Sequence, residues 1–278
     1  MSVPASRAAL ALALAACALP AAADAPRRVV SINLCTDQLA MMLAGPGQLV
    51  SVSVLASEVQ SSSMVAEAAA YPANHGQAEE VFLMQPDLVL AGSYTALATV
   101  DLLKGLGIPV VQVPPADSLD EAVEQVRIVG RALGQEARAE AVAKAFADGI
   151  AAARVTGDSH PAAFYHPNGY TTGQGTLANE VMELTGFHNI AATAGVTGGG
   201  VLPLERLVMA GPDLIVTSEP YPGASRAEEI LSHPALGAVE AGAGARLTSD
   251  ADWVCGTPHL LRAIARMGAA RAAVEGGQ

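Results

Sequence analysis

One segment of the chain is written twice. Glu79-Glu80-Val81-Phe82-Leu83-Met84-Gln85-Pro86-Asp87-Leu88-Val89-Leu90 returns as Glu205-Arg206-Leu207-Val208-Met209-Ala210-Gly211-Pro212-Asp213-Leu214-Ile215-Val216, with the Glu, Pro, Asp and Leu all displaced by 126 positions. Each copy dictates the same local structure. A Glu in the first turn of a short apolar helix sits where the helix dipole favours negative charge. Proline disfavours helix in the residue before it, so the helix must stop. The Asp-Leu-Val-Leu and Asp-Leu-Ile-Val runs then read as buried parallel strands. A second shared pattern precedes both copies. A β-like run (29–32; 162–165) passes through a polar loop into a helix ending Leu43-Ala44-Gly45 or Leu184-Thr185-Gly186. The repeat predicts two α/β lobes of one plan.

The remaining segments fill in that plan. The first lobe is expected over 27–117, with strands at 29–32, 49–54 and 110–113. Its first helix covers 38–43, capped by Thr36 or Asp37, and another covers 99–106; 58–76 reads as loop. Ser118 with Glu121 forms a capping box that opens the longest helical stretch. Leu119, Val123, Val126, Val129 and Leu133 recur there at helical spacing. Gly134 interrupts, and an Ala-rich helical pattern continues to Arg154. The connecting region, 118–157, is therefore helical rather than Gly/Ser/Pro-rich, which predicts a stiff joint. The second lobe is expected over 158–278. It holds a helix at 177–184, a loop at 197–200, a short helix at 227–232, a loop at 252–258, a last helix at 259–273 and frayed residues from 275 onward.

Composition narrows the function. The 278 residues carry a net charge of −12, and Lys104 and Lys144 are the only lysines. Nucleic-acid binding needs clustered cations, and so does a polybasic membrane surface; neither fits. The first 23 residues read as a signal peptide: Arg7, an apolar stretch too short to span a bilayer, then Ala21-Ala22-Ala23. Leu14-Ala15-Ala16-Cys17 also resembles a lipoprotein box, which would leave a lipidated Cys17. Export places Cys35 and Cys255 in an oxidising compartment.

Most catalytic signatures are missing. There is no Gly-x-Ser-x-Gly elbow and no Gly-x4-Gly-Lys loop. Gly173-Gln174-Gly175-Thr176-Leu177-Ala178 fits Gly-x-Gly-x-x-Ala, but it does not directly follow a strand, and no acid lies between Glu183 and Glu205. The six histidines form no His-x3-His pair; His75 and His166 fall in loops that could face a cleft, and His188 and His233 read as helix-end residues. Trp253, the sole tryptophan, sits in a loop with Asp252, Cys255 and Gly256, where it packs a core or walls a cleft.

The chain resembles the periplasmic substrate-binding proteins of iron–siderophore, haem and cobalamin ABC importers. The resemblance rests on Arg28-Val29-Val30-Ser31-Ile32-Asn33, the two Glu-x6-Pro-Asp-Leu units, the helical connector and Asp252-Trp253. It implies two Rossmann-like α/β lobes joined by a long rigid helix, with the ligand held between them. It also implies that Glu79 and Glu205 dock onto arginines of an inner-membrane permease. The implied ligand cleft takes Cys35 and Thr36 from the loop after the first strand and Tyr94 from the loop at 93–94. From the second lobe it takes His166 and Tyr170, then Trp253 and Cys255. No catalytic residue, resident metal or cofactor is implied, and a periplasmic monomer is expected. The cysteines depart from the family. They could pack as buried thiols, form a disulfide that clamps the lobes and obstructs a bulky ligand, or touch the ligand's metal. Catecholate-siderophore binders line their clefts with Arg, and the cleft loops of this chain hold none. That favours a bulky ligand of low net charge: cobalamin, haem or a hydroxamate chelate. A free-metal binder of an ABC importer and an exported two-lobe hydrolase are the rival readings.

Overall fold

A computed structural model describes residues 25–218, 225–242 and 245–276. The signal segment, including Cys17, and the last two residues lie outside the described residues. The first lobe comprises β1 (Val29–Ser31), α1 (Leu34–Leu43), β2 (Leu49–Ser53), α2 (Val65–Ala68), β3 (Ala73–Asn74), α3 (Ala78–Leu83), β4 (Leu88–Gly92), α4 (Leu97–Gly105) and β5 (Val110–Val113). Then come α5 (Leu119–Leu133) and α6 (Glu136–Ala152). The second lobe comprises β6 (His160–Phe164), β7 (Tyr170–Thr172), α7 (Leu177–Leu184), β8 (Phe187–Asn189), α8 (Ile190–Thr193), β9 (Gly199–Val201), α9 (Leu204–Ala210), β10 (Leu214–Ser218), α10 (Pro234–Gly242), β11 (Ala245–Ser249) and α11 (Leu260–Gly276). The first sheet is parallel with order β3-β2-β1-β4-β5. The second is parallel with order β11-β10-β6-β8, and β7 and β9 form an antiparallel pair beside it.

The repeated segment does the same work in each lobe. The backbone N–H of Asp87 donates to Arg28 O at 3.0 Å, and its carboxylate accepts from the N–H groups of Arg27 and Arg28 at 2.7 and 2.9 Å. This ties the start of β4 to the start of β1. In the second lobe the N–H of Asp213 donates to Pro161 O at 2.8 Å. Pro161 has no N–H to return, and the His160 ring occupies the carboxylate instead, Nδ1 to Oδ2 at 2.6 Å. The residue before the repeated Pro also matches: Gln85 and Gly211 both adopt positive φ, 52° and 58°.

Successive strand residues point to opposite sheet faces. Val29, Leu88 and Leu90 enter one core together with Ala162, Phe164, Leu214 and Val216 of the second lobe. That shared core also takes α1, α5, α6, α7 and α11. The alternate residues pack outward, Val30, Val89 and Ala91 under α3 in one lobe and Ala163, Tyr165 and Ile215 under α9 in the other. The two lobes therefore share a single inner core, with a separate outer layer on each.

Several local expectations change. The first helix starts earlier than expected. Asn33, not Thr36 or Asp37, caps it, accepting from the N–H groups of Cys35 and Thr36. Region 58–76 contains α2 and the two-residue edge strand β3, too short to leave a pattern. The Gly-rich loop at 197–200 enters strand β9. His188 lies in β8, and Glu275 is still helical. The connector is two helices rather than one rod. Gly134, at φ 64°, ends α5, and the chain reverses. Arg127 meets Glu140 at 2.7 Å, and Gly130 faces Ala139, so the helices are antiparallel. A Cβ on Gly130 would stand 2.1 Å from that of Ala139, so only glycine permits this approach. Helix α6, about 25 Å long, continues to the second lobe, where Gly149 meets Leu261 of α11.

Candidate ligand-binding cleft

In parallel α/β sheets, ligands bind outside the carboxyl ends of the strands. Here the carboxyl ends of both sheets face one another. From the first lobe come Asn33, Cys35 and Thr36 after β1, Ser93 and Tyr94 after β4, and 114–117 after β5. Facing them are Thr172 at the end of β7 and Thr176, Leu177 and Ala178 at the start of α7. These enclose a cavity of about 360 Å³. A second cavity, about 600 Å³, is lined by Val59, Phe164, His166, Asp250, Trp253 and Arg266, among others. Thr172, Ala178, Trp253 and Val254 border both, so the two form one cleft with Trp253 at the junction.

The walls are fixed from beneath. Trp253 meets Phe164 edge-on, with ring centroids 5.1 Å apart; such aromatic pairs hold ring orientation. The hydroxyl of Thr36 is buried and engaged by Ser31 Oγ at 2.8 Å and Asn33 O at 2.9 Å, so it shapes the wall rather than offering a donor. His166 stacks against Phe164. Burial pushes its imidazole below the ordinary value, which keeps it neutral at pH 7. Three buried polar atoms of cleft-lining residues, Trp253 Nε1, Thr172 Oγ1 and Arg266 Nε, have no hydrogen-bond partner among the described residues.

Arg266, which the sequence reading missed, is the cation of the larger cavity. It lies on α11, outside the loops that pattern alone would assign. Two aspartates hold it: Asp250 at 2.6 Å and Asp252 at 3.0 Å. Asp252 is buried and also takes bonds from Arg262 and Ser63. Burial alone would raise its carboxyl, but the bonds from Arg262, Ser63 and Arg266 outweigh it and hold the group below the usual carboxylate value. Both bonds run through Nη2, so the charge of Arg266 is already paired, while its Nε has no hydrogen-bond partner among the described residues.

The cysteines form a disulfide, with Cα atoms 5.3 Å apart across a sequence separation of 220. Cys255 is buried and does not line either cavity. Cys35 does line the smaller cavity, so the bridge borders the cleft at its Cys35 end while its Cys255 end is buried. Further bonds cross between the lobes, Thr257 to Gln38 at 3.2 Å, Ser63 to Asp252 at 2.7 Å and Arg262 to Ser63 O at 3.5 Å, and the Leu119 N–H of α5 ties the connector to Glu180 of the second lobe at 2.7 Å.

The other expected site residues divide. Tyr94 is 90% exposed at the rim and lines the smaller cavity. Tyr170 lies on β7, half-exposed, with its hydroxyl against Gly199, and does not line the cleft. His75 pairs with Glu80 at 3.3 Å and is not part of the cleft either. Glu79 and Glu205 sit exposed in the first turns of α3 and α9. Neither makes a side-chain hydrogen bond or ion pair among the described residues. No group of three or more His, Cys, Asp or Glu converges to hold a metal among the described residues.

Two α/β lobes over a shared core, with a cleft at facing strand ends, define a two-lobe binding protein. The chain belongs to the periplasmic binding protein family, whose model matches residues 29–250. A cobalamin-binding protein of Halobacterium salinarum (strain R1) is 32% identical over 198 residues, 69% of this chain and 54% of that protein. This chain thus spans about half the length of that relative. An uncharacterized ABC transporter substrate-binding lipoprotein of Bacillus subtilis is 31% identical over 153 residues, 51% of this chain and 48% of that protein. Among solved structures, a periplasmic heme-binding protein from Roseiflexus sp. RS-1 matches with TM-score 0.74 and 22% identity, covering 91% of this chain and 99% of that one. The periplasmic vitamin B12-binding protein of Vibrio cholerae matches with TM-score 0.68 and 19% identity, over 90% and 98%. At those identities the structural matches speak for the fold.

Proposed function

We propose that this protein captures a bulky metal chelate of low net charge in the interlobe cleft and delivers it to an ABC import permease in the inner membrane. Cobalamin is the first candidate. The observation that carries this reading is Arg266. Among the described residues it is the only Lys or Arg lining the two cavities, and Asp250 and Asp252 already pair its charge. His166 lines the same cavity, and burial holds its imidazole below the ordinary value. Catecholate chelates and the propionates of haem need cations to replace their hydration. A ligand held by an aromatic wall and scattered polar groups does not. The Halobacterium relative, described as cobalamin-binding, points the same way. The protein acts by binding rather than by turnover, and the exposed carboxylates of Glu79 and Glu205 register it on basic pockets of the permease. It works in the periplasm, released after the signal segment or tethered through Cys17. Among the described residues no helix is long and apolar enough to cross a membrane.

Equilibrium titration with cyanocobalamin, hemin, a ferric hydroxamate and a ferric catecholate tests this. Cyanocobalamin should bind at least 100-fold more tightly than the catecholate, a difference of about 2.7 kcal/mol. Trp253→Ala should weaken it at least tenfold. Tight catecholate binding, or binding indifferent to Trp253, would overturn the reading.

A further inference from the structure

The repeated segment carries more than its Glu. Four residues after Glu79 stands Leu83, 79% exposed; four residues after Glu205 stands Met209, 86% exposed. The two are displaced by the same 126 positions as the rest of the repeat. Residues i and i+4 lie on one face of a helix, one above the other. Each lobe therefore presents an equivalent pair on its outer helix, a carboxylate with no hydrogen bond or ion pair among the described residues and a large apolar side chain one turn further on. The inner positions of the same helices are ordinary: Val81 and Leu207 are fully buried in the outer cores. A single exposed Leu or Met needs no explanation. Two, at equivalent places beside equivalent unpaired carboxylates, are a repeated surface.

We infer that Leu83 and Met209 are apolar anchors of the permease-docking surface. The occupant is a membrane permease presenting the same pocket twice, each with a basic side chain beside an apolar wall. This inference rests on the proposed docking role of Glu79 and Glu205 and adds a separate component to it. The carboxylates supply long-range attraction and register, which salt weakens. The apolar residues, desolvated on contact, supply a part of the affinity that salt leaves in place. A pseudo-symmetric pair of such anchors also requires both lobes to engage at a fixed spacing, which the shared inner core and the interlobe disulfide provide.

The test uses the full exported chain and its cognate ABC importer in lipid nanodiscs, with docking affinity measured at low and high salt. Leu83→Ser, Met209→Ser and their combination are compared with Glu79→Ala, Glu205→Ala and their combination. Melting temperature and cyanocobalamin affinity serve as controls; both apolar side chains are exposed, so neither control should move. Each apolar change should weaken docking roughly tenfold, by a factor that is the same at both salt concentrations. The Glu changes should weaken it mainly at low salt. Weakening by the Glu changes alone would overturn the apolar anchors and leave the docking role standing. No weakening by either set would overturn both.

Discussion

Asp37 is a carboxyl with no access to water. Burial pushes it from 3.8 up to about 6, while hydrogen bonds from Ser31 and Ser53 pull it partly back. The folded state therefore holds this proton to higher pH than the unfolded chain. Between about pH 4 and pH 6 the native state binds more protons, so this group's contribution to stability falls as pH rises through that window. The size is roughly 3 kcal/mol, about two pKa units. Urea unfolding of Asp37→Asn should show a flatter pH dependence there than the parent protein. An unchanged slope would mean that Asp37 is already ionised in the fold. Its neighbour Thr36 was expected to face the ligand, yet its hydroxyl is internally bonded. Residue type alone could not reveal that, because the partner Ser31 is brought to it by the turn between β1 and α1.

At the scale of elements, the end of the repeated helix separates backbone strain from contacts. A Cβ at Gly211 would meet nothing within 4 Å, so Gly211→Ala probes its left-handed φ alone. It should cost about 1 kcal/mol. In the equivalent place Gln85 already bears that strain, while Arg28 bonds the carbonyls of Met84 and Gln85 and covers the helix end. Gln85→Gly should melt no lower than the parent, since relief of strain offsets the greater freedom of the unfolded chain. Gly130→Ala is a different case. The added methyl would collide with Ala139 and force α5 from α6, at a cost of about 1–3 kcal/mol. If calorimetry found Gly130→Ala neutral, the close helical hairpin would be wrong. The apolar spacing that marked this region as helix is the same for one rod and for two helices, so the reversal had no periodic signature.

For the whole molecule, the shared core and the interlobe bonds predict stiffness. Scattering curves with and without cyanocobalamin should coincide, and a marked compaction on binding would contradict a fixed cleft. Cys35 and Cys255 should be unreactive toward thiol reagents until the protein is denatured and reduced. Replacing both by Ser removes a link closing a loop of over 200 residues and should cost roughly 2–5 kcal/mol. Cyanocobalamin affinity should survive if buffer conditions keep the variant folded, because Cys255 is buried and Cys35→Ser changes a single atom of the smaller cavity's lining.

Local chemistry determined what repeats locally. The Glu, the Pro stop, the Asp and the apolar strand each act through neighbours within a turn or a strand, so two α/β lobes with helical linkage were legible from residue order. The cleft loops at 33–36, 93–94, 166–172 and 252–257 were what the resemblance to the binding-protein family implied, rather than something residue order dictated. Only tertiary structure decided which groups meet across the fold. It paired Cys35 with Cys255, set Asp250 and Asp252 on Arg266, turned Tyr170 away from the cleft and merged two predicted lobes over one core. Those outcomes depend on how packed faces orient elements far apart in the chain, a quantity that no window of sequence contains.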